Sequence, residues 1–304
     1  MQIKEAILEY LHHLIVNQVK AKATVERYQT VLNNYQDYLK ETAITEINQI
    51  DTTDIQTYLG LLKEQYQPKT VSQSISIIRS FHNYLANHFS NLNNPALKIK
   101  TTKTPSKLPK FFSEDDLEHF FASFSDQEND VFHRAIFELL YATGLRVTEL
   151  VSLTFQELNT NNQMIKIVGK GNKERIIPIA TYSLEILDKY LKLREKWNKK
   201  QLKNVFIKPN GTAITRQYVW SIMKKHLKLA NLDLKLSPHS FRHTFATDLL
   251  DNDADLRIVQ ELLGHSNVTT TQIYTHLSNK RITDLYEKFH PKSDNLNKGN
   301  HDKD

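Results

Sequence analysis

Residues 237 to 250 read SPHSFRHTFATDLL, and this stretch sets the reading of everything around it. Ser237 is an N-cap residue type and Pro238 suits the first helical turn, so a helix begins here and continues with helical spacing from Phe241 to Leu250. His239 then falls in the first turn, with Arg242 and His243 at i+3 and i+4 on nearly the same face. An imidazole and a guanidinium projecting together beside a positive helix end suit an anion such as a phosphate. The spacing also permits a zinc pair, His239 and His243. A catalytic zinc needs a third ligand, however, and Arg242 would repel the cation, so His243 is expected to be packed and hydrogen-bonded instead.

Two stretches on either side extend the pattern. Upstream, residues 142 to 150 read ATGLRVTEL: Gly144 can take the left-handed conformation that ends a helix, Arg146 starts the next, and Glu149 one turn on can pair with it. Taken alone, this is a helix junction with a surface ion pair. Downstream, residues 262 to 276 read LLGHSNVTTTQIYTH. Gly264 ends a helix, His265 sits in the following turn, and Tyr274 lies on a helix starting near Thr269 to Thr271. With Ile273 and Leu277 beside it, and 13 tyrosines in the chain, Tyr274 by itself reads as a core residue.

Between these stretches the periodicity changes. Met164 to Val168 and Arg175 to Pro178 are β-rich runs around Gly169-Lys170-Gly171-Asn172, which predicts a hairpin. Ser113, followed by Glu114, Asp115 and Asp116, starts a helix. Val131 to Tyr141, Tyr182 to Lys196, Gln217 to Ala230, Leu256 to Leu263 and Thr269 to Phe289 all show helical spacing. Residues 1 to 100 are helical throughout: stripes run from an N-cap at Thr24 through Val25, Tyr28, Leu32, Tyr35 and Leu39, then Ile55 to Leu62, then Val71 to Leu85. Four short helices forming a bundle are expected. The segment TTKTPSKLPK, residues 101 to 110, has two prolines and no apolar period and reads as an extended connector spanning roughly 30 Å. The predicted organisation is a helical domain over 1–100, a basic linker over 101–110, a second domain over 111–290 and a disordered tail over 291–304. The fold class is mainly α with a small β-sheet, the second domain being α+β.

Composition narrows the function. The 304 residues exceed the length of one typical domain, and 39% apolar with 24% charged residues is ordinary for globular chains, which excludes collagenous and disordered classes. There are no cysteines. Disulfides, thiolate metal sites and cysteine nucleophiles are thereby excluded, and a reducing compartment is favoured. Met1 to Lys20 lacks a signal-peptide core and no run approaches a membrane span, so a cytoplasmic protein with no membrane partner is expected. Lys plus Arg number 40 against 34 Asp plus Glu, a net charge of +6, favouring a polyanionic partner. Half of that excess comes from Lys103, Lys107 and Lys110, which stand in the linker without an acid; they serve equally as solvating groups or DNA contacts.

Taken together, the three stretches resemble the tyrosine recombinase (phage integrase) family, whose catalytic set runs in chain order Arg, Lys, His-x-x-Arg, His or Trp, Tyr. Here Arg146 in TGLRVTEL, Lys170 in GKGNKERIIP, His239 and Arg242 in SPHSFRH, His265 in LLGHSNVTTTQIYTH and Tyr274 fill every position. The resemblance covers roughly residues 107 to 290, and residues 1 to 100 are similar to the family's helical, SAM-like core-binding domain. Within the family the phrasing looks most like the bacterial Xer chromosome-dimer recombinases. Chain length and the lack of an arm-binding domain agree.

The resemblance implies a site-specific recombinase acting through a 3′-phosphotyrosyl intermediate, with no cofactor and no metal. Arg146 and Arg242 can grip one phosphodiester and neutralise its developing charge. Tyr274 would attack phosphorus, His239 is the candidate base, Lys170 the candidate acid with Lys173 its rival, and His265 a hydrogen-bond donor. Implied partners are double-stranded DNA carrying a recombination site, a homo- or heterotetramer with a paralogous recombinase, and a DNA translocase. Localisation would be cytoplasmic and nucleoid-associated. An integrase or transposon resolvase of the same chemistry, a type IB topoisomerase activity, a non-catalytic DNA-binding protein and a metal-dependent nuclease on His239, His243 and His265 are the competing readings. Arg79 and Gln73 in the Val71 to Leu85 helix, and Arg216 and Gln217 near Tyr218, are candidates for groove contact.

Overall fold

Apolar stripes at helical spacing need partners, and the chain supplies them in two separate sets. A computed structural model describes residues 1–18, 20–89, 92–100, 110–168 and 174–264, and the chain divides into two compact units, residues 1–107 and 108–304.

In the first unit α1 (Ile3–Val16), α2 (Lys22–Glu41), α3 (Thr52–Gln65) and α4 (Pro68–His88) bury one face each. Helix α4 packs on α1, α2 and α3. Its Phe81, 0% exposed, meets Tyr10 at 5.6 Å between ring centroids, and Tyr35 meets Tyr58 at 5.2 Å, separations at which aromatic pairs add to plain burial. Asp51 caps α3 by accepting from the Asp54 N–H at 2.9 Å, and Pro68 opens α4 at a position where a missing N–H costs nothing. One boundary differs from expectation. Helix α2 starts at Lys22, with Ala21 rather than Thr24 at the N-cap and the Thr24 N–H bonded to the Ala21 carbonyl at 2.8 Å, because Ala21, Lys22 and Ala23 are good helix formers that extend the stripe backwards. Helices α2 and α4 are also long, 20 and 21 residues, not the short helices anticipated.

The second unit is organised around α6 (Glu128–Thr143), whose C-terminal half is buried almost without a break from Ala135 to Thr143. Helices α8 (Thr181–Trp197) and α10 (Pro238–Asp251) pack against it. Phe137 of α6 meets Phe120 of α5 (Glu114–Ala122) edge-on at 5.2 Å and Phe241 of α10 at 5.5 Å. Helix α7 (Val147–Ser152) precedes an antiparallel sheet of β1 (Leu158–Asn159), β2 (Met164–Val168) and β3 (Glu174–Pro178) in that order. The short β1, paired through Leu158 to Ile165, had no counterpart in the sequence reading, since two residues carry no periodicity. The last described pair of the hairpin is Val168 with Glu174, and Lys170 and Lys173, expected in its turn, lie outside the described residues. Helices α9 (Arg216–Leu229) and α11 (Leu256–Leu263) complete the described elements. Among the described residues no helix is long and apolar enough to cross a membrane.

Candidate active site

The site grows from two helix ends that both need glycine. Helix α6 stops at Gly144, which has φ 58°; a Cβ there would stand 2.5 Å from the Phe245 ring. Helix α11 stops at Gly264, φ 64°, where a Cβ would stand 3.1 Å from Arg175 Cδ. Left-handed backbone makes a side chain strained at both places, and the close approach adds to that strain, most at Gly144. Arg242 of α10 holds these two ends. Its guanidinium donates to the Gly144 carbonyl at 2.7 Å and to the Leu263 carbonyl, the orphan acceptors that helix termini leave behind.

Two residues after Gly144, Arg146 is the N-cap of α7. Its backbone N–H donates to Glu149 Oε2 at 2.8 Å and its guanidinium to Glu149 Oε1 at 3.0 Å. The expected pair therefore forms, but it is not a simple surface pair. Arg175 of β3, 9% exposed, donates to the same Glu149 Oε2 at 2.7 Å and to the Leu262 carbonyl at 3.0 Å. One carboxylate thus joins α7 to β3, and one guanidinium joins β3 to the end of α11. Burial by itself would raise the Glu149 pKa; the Arg175 hydrogen bond, helped by the Arg146 N–H, outweighs it and holds the carboxyl below its ordinary value. Glu149 is anionic, and its charge is committed to orienting two arginines.

Burial, with Arg146 nearby, pushes the Arg242 pKa down to about 10, so the guanidinium keeps its charge at neutrality. His239 is exposed in the first turn of α10. Partial desolvation, then the charges of His243, Arg242 and Arg146, hold its pKa below the ordinary imidazole value. A neutral imidazole beside two cations is equipped to take a proton from a group that those cations acidify.

His243 is corrected from its sequence reading: it is exposed, because α10 turns Phe241, Thr244 and Phe245 inward and leaves 239 and 243 on the outer face. Around these two histidines no third ligand joins among the described residues; the three-ligand group that does form lies elsewhere, at Asp130, His133 and His226. His265 and Tyr274 lie outside the described residues, as do Lys103 and Lys107. Lys110 forms an ion pair with Asp233. Arg216 is exposed at the start of α9. Arg79 lines a surface groove of the first unit with Lys98 and Lys100, while Gln73 accepts a hydrogen bond from Arg27. Sequence reasoning missed Arg175. The signal was present in β3, where Arg175 alternates with Ile177 and so shares its inward face.

Residues 110–281 match the Phage integrase family and residues 7–88 match the Phage integrase N-terminal SAM-like domain. The chain belongs to the phage integrase family of tyrosine recombinases, enzymes that cut and rejoin DNA through a catalytic tyrosine. It is 39% identical to Tyrosine recombinase XerD of Listeria monocytogenes over 298 residues, covering 96% of this chain and all of that one. It is 40% identical to Tyrosine recombinase XerD of Staphylococcus haemolyticus, over 94% of this chain and 99% of that one. Its fold is shared by the Tn1549 transposon integrase in complex with circular intermediate DNA, with TM-score 0.71 at 19% identity over 88% of this chain and 93% of that one.

Proposed function

We propose that this site-specific recombinase resolves chromosome dimers by exchanging strands at one DNA site through a 3′-phosphotyrosyl ester on Tyr274. The observation that carries the reading is the fixed arginine pair: Arg146 and Arg242 are anchored by a carboxylate and by two helix-end carbonyls before any substrate arrives. Preorganised cations stabilise the charge of a pentacoordinate phosphorus without having to reorganise during reaction. A phenol has an ordinary pKa near 10, so Tyr274 depends on His239 and on the positive field for activation. Lys170, in the segment between β2 and β3, protonates the departing 5′ oxygen, and His265 donates to a non-bridging oxygen.

The ester conserves the energy of the broken phosphodiester, so a foreign 5′ hydroxyl can reverse the attack and join new partners. Strand exchange between two duplexes calls for four protomers, with a paralogous recombinase as the second pair and a DNA translocase bringing the sites together in the cytoplasmic nucleoid. The segment Ser278 to Phe289 is the piece that neighbouring protomers would exchange. Both residues 1–100 and residues 111–290 contact DNA, with Lys103, Lys107 and Lys110 along the backbone and Arg79 and Arg216 toward the grooves. Arg79 draws support from the adjacent Lys98 and Lys100. The relatives named Tyrosine recombinase XerD favour the chromosomal role over a mobile element.

A nicked suicide duplex resolved on a denaturing gel tests the chemistry. Wild-type protein is expected to form a covalent adduct in excess EDTA and Tyr274→Phe to bind DNA without one. An adduct in the variant removes Tyr274 from the mechanism, and a strict need for added divalent metal favours a nuclease.

A further inference from the structure

Three side chains of the second unit meet away from the arginine network. Asp130 and His133 lie one turn apart on α6, His226 comes from α9, and their ligand atoms all lie within 4.8 Å of one another. His226 is 0% exposed and His133 9%.

Each imidazole is held through one nitrogen and leaves the other unsatisfied. Ser123 Oγ donates its single proton to the Phe120 carbonyl at 2.6 Å, so at 2.9 Å from His226 Nδ1 it accepts. The His226 proton therefore sits on Nδ1, and Nε2 carries a lone pair that is buried without a hydrogen-bond partner. His133 Nε2 meets the Tyr218 hydroxyl at 3.0 Å, and its Nδ1 is likewise buried without a partner. These two nitrogens lie 3.8 and 3.9 Å from Asp130 Oδ1, beyond hydrogen-bond reach. The other carboxylate oxygen, Oδ2, is taken by the Ser125 N–H at 3.1 Å and hydroxyl at 2.6 Å, which leaves Oδ1 for the imidazoles. An imidazole lone pair facing a carboxylate oxygen inside a protein is a costly arrangement, because both are acceptors and neither finds a proton.

We infer that Asp130 Oδ1, His133 Nδ1 and His226 Nε2 form a Zn²⁺ site, with a fourth position for water, that clips α6 to α9. Two nitrogens and one oxygen suit zinc, whereas magnesium and calcium prefer oxygen throughout. Bonds of about 2.0–2.1 Å place tetrahedral ligands roughly 3.3 Å apart, so each nitrogen needs to close on Asp130 by about half an ångström. The outer partners that fix ligating imidazoles are already present in Ser123 and Tyr218, and Phe124 stacks on His226 at 3.8 Å, providing a dry wall. From His133 to the end of α6 is about 15 Å of helix, so the ion clips the scaffold away from the Gly144 end, where Arg242 is anchored. This separates it from the metal-free strand cleavage proposed above.

Full-length protein stripped with chelator and dialysed is titrated with Co²⁺, then Zn²⁺, reading visible absorption and the thermal midpoint. One equivalent of Co²⁺ is expected to give the intense absorption of a low-coordinate ion, displaced by Zn²⁺. Zinc at a hundredfold excess over Kd is expected to raise the midpoint by roughly 5 °C. His226→Gln and Asp130→Asn should each weaken binding by about 100-fold and Ser123→Ala, which leaves all three ligands in place, by about 10-fold. His243→Gln should leave metal affinity unchanged. Absence of a stoichiometric site, or an affinity untouched by Ser123→Ala and His226→Gln, overturns the inference. So does loss of binding in His243→Gln, which would move the ion to the exposed pair on α10. Adduct formation in EDTA reads the cleavage chemistry independently of every one of these outcomes.

Discussion

The two units bury different things. Among the described residues of the first, the buried polar ones are Ser74 and His82, set in a bed of aliphatic and aromatic side chains. In the second, Glu138, Arg175, Arg194, His133 and His226 lie buried beside the phenylalanines. Both units fold on apolar stripes, but among the described residues only the second buries glutamate and arginine side chains. Such groups add little net stability and destabilise strongly when one partner is removed. The difference teaches that the first unit is built to hold a shape, and the second to hold charges at fixed points.

Substitutions that hit one unit and spare the other break or sharpen that contrast. The largest effect is expected for Arg242→Ala, which loses the guanidinium bonded to the Gly144 and Leu263 carbonyls. Single-turnover cleavage should fall on the order of 10³-fold, the loss typical of a transition-state charge donor, while affinity for the DNA site changes far less. Equal losses in both would mean that Arg242 only holds DNA. Next is Phe81→Ala at 0% exposure in the first unit. A cost of about 3 kcal/mol is expected there, read by localised hydrogen exchange, with protection in α6 and α10 unchanged. Spread of the destabilisation into the second unit would show that the two are not independent.

Gly144→Ala should be smaller, roughly 2 kcal/mol, from left-handed backbone plus contact with Phe245. Chemical denaturation followed by Trp197 and Trp220, both in the second unit, reads it. A neutral result would mean that the Phe245 ring gives way freely. The smallest effect is on pH dependence. Because burial, His243, Arg242 and Arg146 depress the His239 pKa, its neutral form persists as pH falls through 6.5, the ordinary imidazole value. The acid limb of the cleavage profile is expected below 6.5, and His239→Gln should remove it. A limb above 6.5 would contradict the assignment of His239 as base.

Much of this was legible in the residues. The stripes through Tyr35, Ile78 and Phe81, the capping Ser113 and the glycine stop at Gly144 are local signals, and local physics decided them. The start of α2 was not, because Thr24 offers a cap that Ala21 to Ala23 override by simply continuing the helix. In the site, Arg146, His239 and Arg242 were named from motif spacing and the Arg146–Glu149 pair from its one-turn separation, whereas the bond that ties Glu149 to Arg175 spans 26 positions. Sequence distance hides such a bond; the strand alternation that turns Arg175 inward was the one available hint. His133 and His226 were likewise absorbed into helical stripes, since a buried histidine at core spacing looks like any other core residue.

The central claim is that one phenol carries the broken strand. Trapping the adduct on a suicide duplex in EDTA, digesting it and locating the nucleotide remnant by mass spectrometry tests this directly. The account predicts the remnant on the peptide containing Tyr274 and on no other. A remnant on a different tyrosine, or on a serine or histidine, would contradict it.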